Sequence, residues 1–176
     1  MKVKNLPDNT PEQQKQPLPI EIFSPWANII VKFKMPDMVF QELEKMYDYT
    51  MKNYKSFGKQ LVGQINEEPE VTQEIMSKFP IWTDFCLQTV AQYVRTAMTQ
   101  VLYGEPEKLR EFLDEEIFTR LTTMWFVNQK PGEYNPVHIH TNCKVSSVVY
   151  LQTPKEQVKD RKDHYQSDGK ITFMNN

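Results

Sequence analysis

The pattern of apolar and polar positions divides the chain into a polar start, a helical middle and a strand-like end. Residues 1–19 carry four prolines among asparagine, glutamine and lysine. Such a composition buries little surface and removes backbone donors, so we expect a flexible arm there. Residues 29–35 are rich in β-branched side chains and partly alternate with lysine, which predicts a strand ended by Pro36.

The middle of the chain holds two stretches whose apolar residues recur at three- and four-residue steps, as on the buried face of a helix. The first begins at Asp37, whose side chain can cap the helix. The second covers about residues 71–103, where Pro80 separates a short lead-in from a main helix that starts one residue later. Residues 56–68 contain two glycines and favour a loop, and residues 107–116 favour a short charged helix or turn.

Beyond residue 117 the periodicity changes to the alternation that is typical of strands. The stretches that alternate or are rich in β-branched and aromatic residues are residues 118–127, 145–151 and 170–174. The order of helices first and antiparallel strands afterwards predicts an α+β fold with the helices packed on a sheet.

The length of 176 residues suits a single domain with an appendage. We divide it into the arm of residues 1–19, a strand with supporting helices over residues 20–117, and a strand region over residues 118–176 that carries the candidate site.

Composition and charge exclude several classes of protein. Hydrophobic residues make up 39% of the chain and aromatic residues 12%, which is enough for a core. The net charge is −2 and the pI about 6.0, so no basic footprint for nucleic acid or an anionic membrane is present. No apolar run approaches the ~20 residues of a membrane span, and no signal-peptide stretch follows Met1. With only two cysteines far apart in sequence, we expect a soluble protein of the reducing cytoplasm.

The candidate chemistry is concentrated in the pair His138 and His140. On an extended backbone, residues i and i+2 point to the same face, so both imidazoles can converge on one metal ion. Imidazole binds iron, zinc, copper and nickel, so the ligand type does not select the metal. Alone, such a pair is more often solvated or hydrogen-bonded. Cys143 is either a further ligand or a small buried hydrophobe, and the acidic residues and His164 of the polar loop 154–167 are either ligands or solvated.

A wider pattern surrounds the pair and consists of Trp125, Asn128, Gly132, Tyr134, His138, His140, Ser146, Tyr150 and Pro154. This pattern resembles the 2-oxoglutarate/Fe(II) oxygenases of phages and marine bacteria, which are relatives of the prolyl hydroxylases. The resemblance covers most of residues 20–176 and is most specific over residues 125–154. It implies a double-stranded β-helix, a jelly-roll or cupin-like barrel with the N-terminal helices packed on it. In that pattern a distal histidine and a basic residue for 2-oxoglutarate follow beyond Asn176, so we expect the barrel and the iron site to be incomplete here.

The resemblance also implies roles for individual residues. His138 would be the first iron ligand. Position 140 is where prolyl hydroxylases carry the acidic ligand of the 2-His-1-carboxylate triad, so His140 either binds the metal or only lines the site. Asn128 and Tyr150 match positions that face the pocket and would hold the co-substrate carboxylate or order the metal-bound water, although Tyr150 is equally well explained as a packed sheet residue. Trp125 is interpreted as packing.

The activity implied by the resemblance is that of a dioxygenase with Fe(II) as cofactor and 2-oxoglutarate as co-substrate. It would use O2 to hydroxylate an unknown substrate, a prolyl or other peptidyl group by kinship, and release succinate and CO2. Two other hypotheses remain open: a non-catalytic jelly-roll interaction or structural protein with a vestigial histidine pair, and a cupin-like metal enzyme that does not use 2-oxoglutarate. No nucleic-acid or membrane partner is expected.

Overall fold

The computed structural model describes residues 20–23, 28–54, 56, 58, 61–153 and 171–173. Its elements in chain order are β1 (Ile20–Phe23), β2 (Ile30–Phe33), α1 (Asp37–Asn53), α2 (Gln73–Ser77), α3 (Pro80–Val101) and α4 (Pro106–Asp114). The predicted arm of residues 1–19 and the polar loop before Gly169 lie outside the described residues.

The first two strands form an antiparallel hairpin-like pair, with Ile20 opposite Phe33. β2 confirms the strand predicted within residues 29–35. The sequence pattern did not predict β1, because its four residues directly follow the polar arm. Only their pairing with β2 identifies them as a strand. Glu21 and Lys32 face each other in the register and form an ion pair of 3.0 Å, the kind of cross-strand pair that adds modestly to sheet stability.

α1 confirms the first predicted helix but corrects its start. Pro36 is the N-cap residue, in extended conformation, and Asp37 is already helical and makes no capping hydrogen bond through its side chain. Because φ of proline is fixed, Pro36 ends the extended segment and Asp37 contributes its charge to the first turn, where the helix dipole favours an acidic residue.

The division of the second helical stretch at Pro80 is confirmed. α2 is a single short helix capped by Thr72, whose side chain accepts a hydrogen bond from the backbone of Ile75 at 3.3 Å. α3 starts at Pro80. Backbone N–H groups in the first turn of a helix have no intrahelical acceptor, so the N–H that proline lacks costs no hydrogen bond there. α4 confirms the short charged helix. In the part of the chain that the structure describes, no helix is both long and apolar enough to cross a membrane.

The core lies where α1, α2 and α3 meet the segment around residue 126. Its buried members are Val39, Leu43, Met46, Val71, Ile75, Met76, Trp82 and Phe126. Leu43 and Met46 belong to the spacing that predicted α1, whereas Phe126 comes from the second half of the chain. Phe126 therefore attaches the segment that leads to the histidine pair to the helical layer.

The segment 67–71 runs antiparallel to the segment 124–128 without forming a regular ladder. Three backbone hydrogen bonds join them: Val71 N to Met124 O at 3.0 Å, Phe126 N to Pro69 O at 2.9 Å, and Asn128 N to Glu67 O at 3.0 Å. Pro69 has no N–H to return a bond to Phe126, so the pairing is reduced to isolated bridges. The strand predicted at residues 118–127 is therefore wrong in this structure as a continuous strand.

The strand predicted at 145–151 also finds no counterpart, and residues 171–173, the described part of the strand predicted at 170–174, are assigned to no strand. Residues 146–150 are exposed, and alternation alone does not make a strand because its backbone groups need a neighbouring strand to pair with. The described residues thus form helices and one two-stranded sheet. The jelly-roll barrel implied by the resemblance stays a prediction.

α1 and α3 are joined by a capping contact that leads to a stability prediction. The carboxylate of Glu42 on α1 accepts a hydrogen bond from the backbone N–H of Trp82, in the first turn of α3. The side chain of the N-cap residue, Phe79, makes no capping hydrogen bond. The carboxylate of Glu42 supplies that hydrogen bond instead and lies at the positive end of the helix dipole.

Replacing Glu42 with alanine is expected to lower the free energy of unfolding by about 1 kcal/mol, the usual cost of a lost N-terminal cap. Urea denaturation followed by circular dichroism measures it. Glu44→Ala on the exposed side of α1 is the matched control and should change stability by less than half as much. Equal effects of the two changes would show that the contact with Trp82 contributes nothing.

Candidate metal centre

The histidine pair is approached through a tight turn, which confirms the turn predicted at Pro131-Gly132. Glu133 N donates to Lys130 O at 3.0 Å, and Gly132 has φ of +89°. Proline at the second position and a positive φ at the third define a type II turn, which requires glycine there. The carboxylate of Glu133 closes the turn by accepting from Lys130 N at 2.7 Å, and this bond is the main cause of its lowered pKa, followed by the hydrogen bonds from Asn66.

A second loop holds this turn from the side. Gln64 N donates to Tyr134 O at 2.8 Å, and Asn66 donates to the carboxylate of Glu133 through both its backbone N–H, at 3.1 Å, and its side-chain amide. The loop of residues 61–66, predicted as an irregular segment, therefore fixes the position of the chain four to five residues before His138.

Asn128, predicted to bind the co-substrate, has its amide group held by the helical layer. Its Oδ1 accepts from the hydroxyl of Tyr47 at 3.0 Å, and its Nδ2 donates to Glu67 at 3.3 Å. The ring of Tyr47 packs edge-on against Phe126, with centroids 5.2 Å apart, and Lys130 pairs with the other oxygen of Glu67 at 3.1 Å. These contacts orient the amide and give Asn128 a structural role, while its predicted contact with 2-oxoglutarate stays a prediction.

The two imidazoles of His138 and His140 lie side by side, as predicted from their spacing. Their ring centroids are 5.0 Å apart and the ring planes are inclined by 64°. Nδ1 of His138 is 2.7 Å from the carbonyl oxygen of Pro136. A carbonyl only accepts, so Nδ1 carries the proton and Nε2 is left with the lone pair that a metal needs.

Trp125, which is predicted to serve in packing, packs against the histidine pair itself. Its indole stacks on the ring of His140, with centroids 5.9 Å apart and planes inclined by 28°. Fifteen positions separate the two residues in the chain, so no local spacing could have signalled this contact. The pKa of His140 is lowered by partial desolvation and by its neighbour His138, which favours the neutral imidazole that binds metals.

The donor set at the pair is compatible with two metal ligands. A metal–nitrogen bond of about 2.0–2.1 Å places the centroids of two neighbouring imidazole ligands roughly 4.5–5.5 Å apart, and the observed separation of 5.0 Å agrees with this. Among the described residues, no group of three histidine, cysteine, aspartate or glutamate side chains converges. His164 and the acidic residues of its loop lie outside those residues. The histidine pair therefore fits part of an iron ligand set.

The remaining candidates lie apart from this geometry. Cys143 is exposed and Cys86 packs against the core, both as free thiols. Burial raises the pKa of Cys86 to about 12, so that thiol is a packing group without thiolate character at neutral pH. Tyr150 is 46% exposed, and its predicted place in a co-substrate pocket stays a prediction.

Comparison with known proteins supports the class of the site. Residues 123–176 match a protein family described as "Putative 2OG-Fe(II) oxygenase", and the match covers the histidine pair but less than half of the chain. This family implies Fe(II) as cofactor and 2-oxoglutarate as co-substrate, with O2 and a substrate as further partners. No curated protein and no solved structure matches the chain.

Proposed function

We propose that this protein carries the iron site of a 2-oxoglutarate-dependent dioxygenase, with His138 and His140 as metal ligands. The observation that carries the proposal is the pair of adjacent imidazoles, with Nδ1 of His138 bonded to a backbone carbonyl, inside the segment that matches the oxygenase family. Metal-binding histidines usually donate their second ring N–H to such a partner, which fixes the tautomer and the ring orientation.

The residues around the histidine pair have separate roles in this proposal. Bound Fe(II) with 2-oxoglutarate would supply the O2-dependent oxidation, releasing succinate and CO2. The carbonyl of Pro136 holds His138 with Nε2 available, and the indole of Trp125 restrains the rotation of His140. Asn128 and Tyr150 are proposed to contact the co-substrate, the first through an amide that Tyr47 and Glu67 already orient.

The finer parts of the proposal rest on the resemblance described above. They are a jelly-roll barrel, kinship with the phage and marine bacterial oxygenases, and a peptidyl or prolyl substrate. A cytoplasmic location, in the host cell if the protein is phage-encoded, is proposed from the low cysteine content. The net charge of −2 favours no nucleic-acid or anionic membrane partner.

Anaerobic titration of the full-length protein with Fe(II) and 2-oxoglutarate tests the proposal. The chelate should produce a weak visible charge-transfer band that appears only when both are present, and oxygen uptake in the presence of substrate candidates should be matched by succinate. Metal binding without the band or succinate would favour a cupin-like metal enzyme. Failure to bind Fe(II) would leave the non-catalytic interaction or structural protein as the better explanation.

A further inference from the structure

Glu68 is a buried carboxylate that none of the interactions described so far explains. Its side chain is 1% exposed, and both carboxylate oxygens are buried without a hydrogen-bond partner among the described residues. An ionised carboxylate removed from water is costly unless a cation or several donors balance it. Lys130, a described cation of the neighbouring turn, is paired with Glu67.

Two glycines keep carbon atoms away from both oxygens of Glu68. A Cβ atom on Gly58 would lie 3.0 Å from Oε2, and one on Gly63 would lie 3.4 Å from Oε1. The first contact is closer than real Cβ atoms usually make, so a larger residue at Gly58 would fill the space in front of the carboxylate.

Other oxygen atoms lie near the same two Cβ positions. Oδ1 of Asn135 lies 2.2 Å from the Cβ position of Gly63, and the Ser56 hydroxyl and the Ile65 carbonyl lie 3.4 and 3.8 Å from that of Gly58. Together with the two carboxylate oxygens they form a set of carboxylate, amide, hydroxyl and carbonyl oxygens. Hard cations, and Ca²⁺ in particular, bind such mixed oxygen sets in flexible geometry.

The charge of the surroundings also favours a cation. Desolvation raises the pKa of Glu68, and the charge of Glu133 raises it further, so a second carboxylate adds negative charge beside the buried one. We propose that Glu68, with Asn135, Ser56 and the carbonyl of Ile65, binds a hard divalent cation of the Ca²⁺ type. This site is separate from the histidine pair and does not depend on the proposed iron chemistry.

The cation would link two parts of the chain. Glu68 and Ile65 belong to the loop that pairs with the turn at residues 130–133, and Asn135 directly precedes Pro136, whose carbonyl holds His138. The bound cation would hold the segment of Ile65 and Glu68 against Asn135, close to the histidine pair. Because the cation binds only the folded protein, we expect a higher melting temperature in the presence of Ca²⁺.

Terbium luminescence of the full chain tests the site, because Tb³⁺ replaces Ca²⁺ and the neighbouring Tyr134 can sensitise its emission. Saturable emission that Ca²⁺ displaces is expected for the wild type. Glu68→Gln should weaken Tb³⁺ binding at least tenfold, while the matched Glu74→Gln, at an exposed position of α2, leaves it unchanged. Without cation, Glu68→Gln should melt at the same or a higher temperature than the wild type, because the buried charge is gone.

A second pair of variants keeps the carboxylate. Gly58→Ala should weaken Tb³⁺ binding at least tenfold because its methyl group occupies the space before Oε2, and Gly104→Ala, with nothing within 4 Å, should leave it unchanged. His138→Ala should also bind Tb³⁺ normally, which separates this site from the iron site. Absence of saturable emission, or equal emission from the wild type and Glu68→Gln, would overturn the proposal and leave Glu68 as a protonated or hydrated acid.

Discussion

Replacement of His138 with alanine is expected to lower Fe(II) affinity by more than about 100-fold, since loss of even an outer partner of a metal ligand typically costs about 10–100-fold. His138 is the residue whose tautomer the structure defines, because the carbonyl of Pro136 holds its Nδ1–H. The change removes both the donor nitrogen and that orientation. The measurement is the anaerobic Fe(II) and 2-oxoglutarate titration, read as the charge-transfer band.

His140→Ala separates the two roles that the sequence leaves open for this residue. If His140 is a ligand, His140→Ala should lower Fe(II) affinity as much as His138→Ala does. If His140 only lines the site, Fe(II) affinity should fall by less than about tenfold. His164→Ala replaces the third histidine of the chain and is the matched control, expected to bind Fe(II) as the wild type does.

Both variants should keep the circular dichroism spectrum of the wild type, since His138 and His140 are exposed and surface substitutions usually alter stability by less than about 0.5 kcal/mol. A folded His138→Ala protein that binds Fe(II) with undiminished affinity would show that the metal site lies elsewhere. Loss of binding in His164→Ala alone would point to the loop of residues 154–167 instead.

Met46→Ala is expected to lower the free energy of unfolding by about 2–5 kcal/mol, the range for a large buried side chain cut to alanine. The side chain of Met46 is fully buried between α1 and its neighbours, at 0% exposure. The shortened residue leaves a cavity and removes apolar surface from the core. Urea denaturation, with midpoint and slope compared, measures the loss.

The matched control lies on the same helix. Met38 is 57% exposed, so Met38→Ala should change the free energy of unfolding by less than about 0.5 kcal/mol. Similar losses for both methionines would contradict the burial of the Met46 face of α1.

Much of the helical layer could be predicted because its causes are local. The spacing of Leu43 and Met46 predicts a buried face of α1, although Met38 of the same predicted stripe is exposed. Pro80 predicts where α3 starts. The type II turn at Pro131-Gly132 also follows from two adjacent residues with restricted or unusual φ. In each case the residues that determine the element lie within one or two turns of one another.

The strands were less predictable because a strand is completed by a partner from elsewhere in the chain. Alternation at residues 145–151 predicted a strand, yet the structure has none there, and the four residues of β1 form one through β2. At residues 124–128 the partner is present, but Pro69 removes a donor from it. Pairing across the chain therefore decided each case.

The sequence by itself determined the histidine pair. His138 and His140 lie on one face because positions i and i+2 of an extended chain point the same way. Only the tertiary structure decided what surrounds them. It brought Trp125 against His140, tied Asn128 to Tyr47 and Glu67, and buried the carboxylate of Glu68 beside two glycines. These contacts join residues far apart in the chain, so they depend on packing between segments and leave no trace in local spacing.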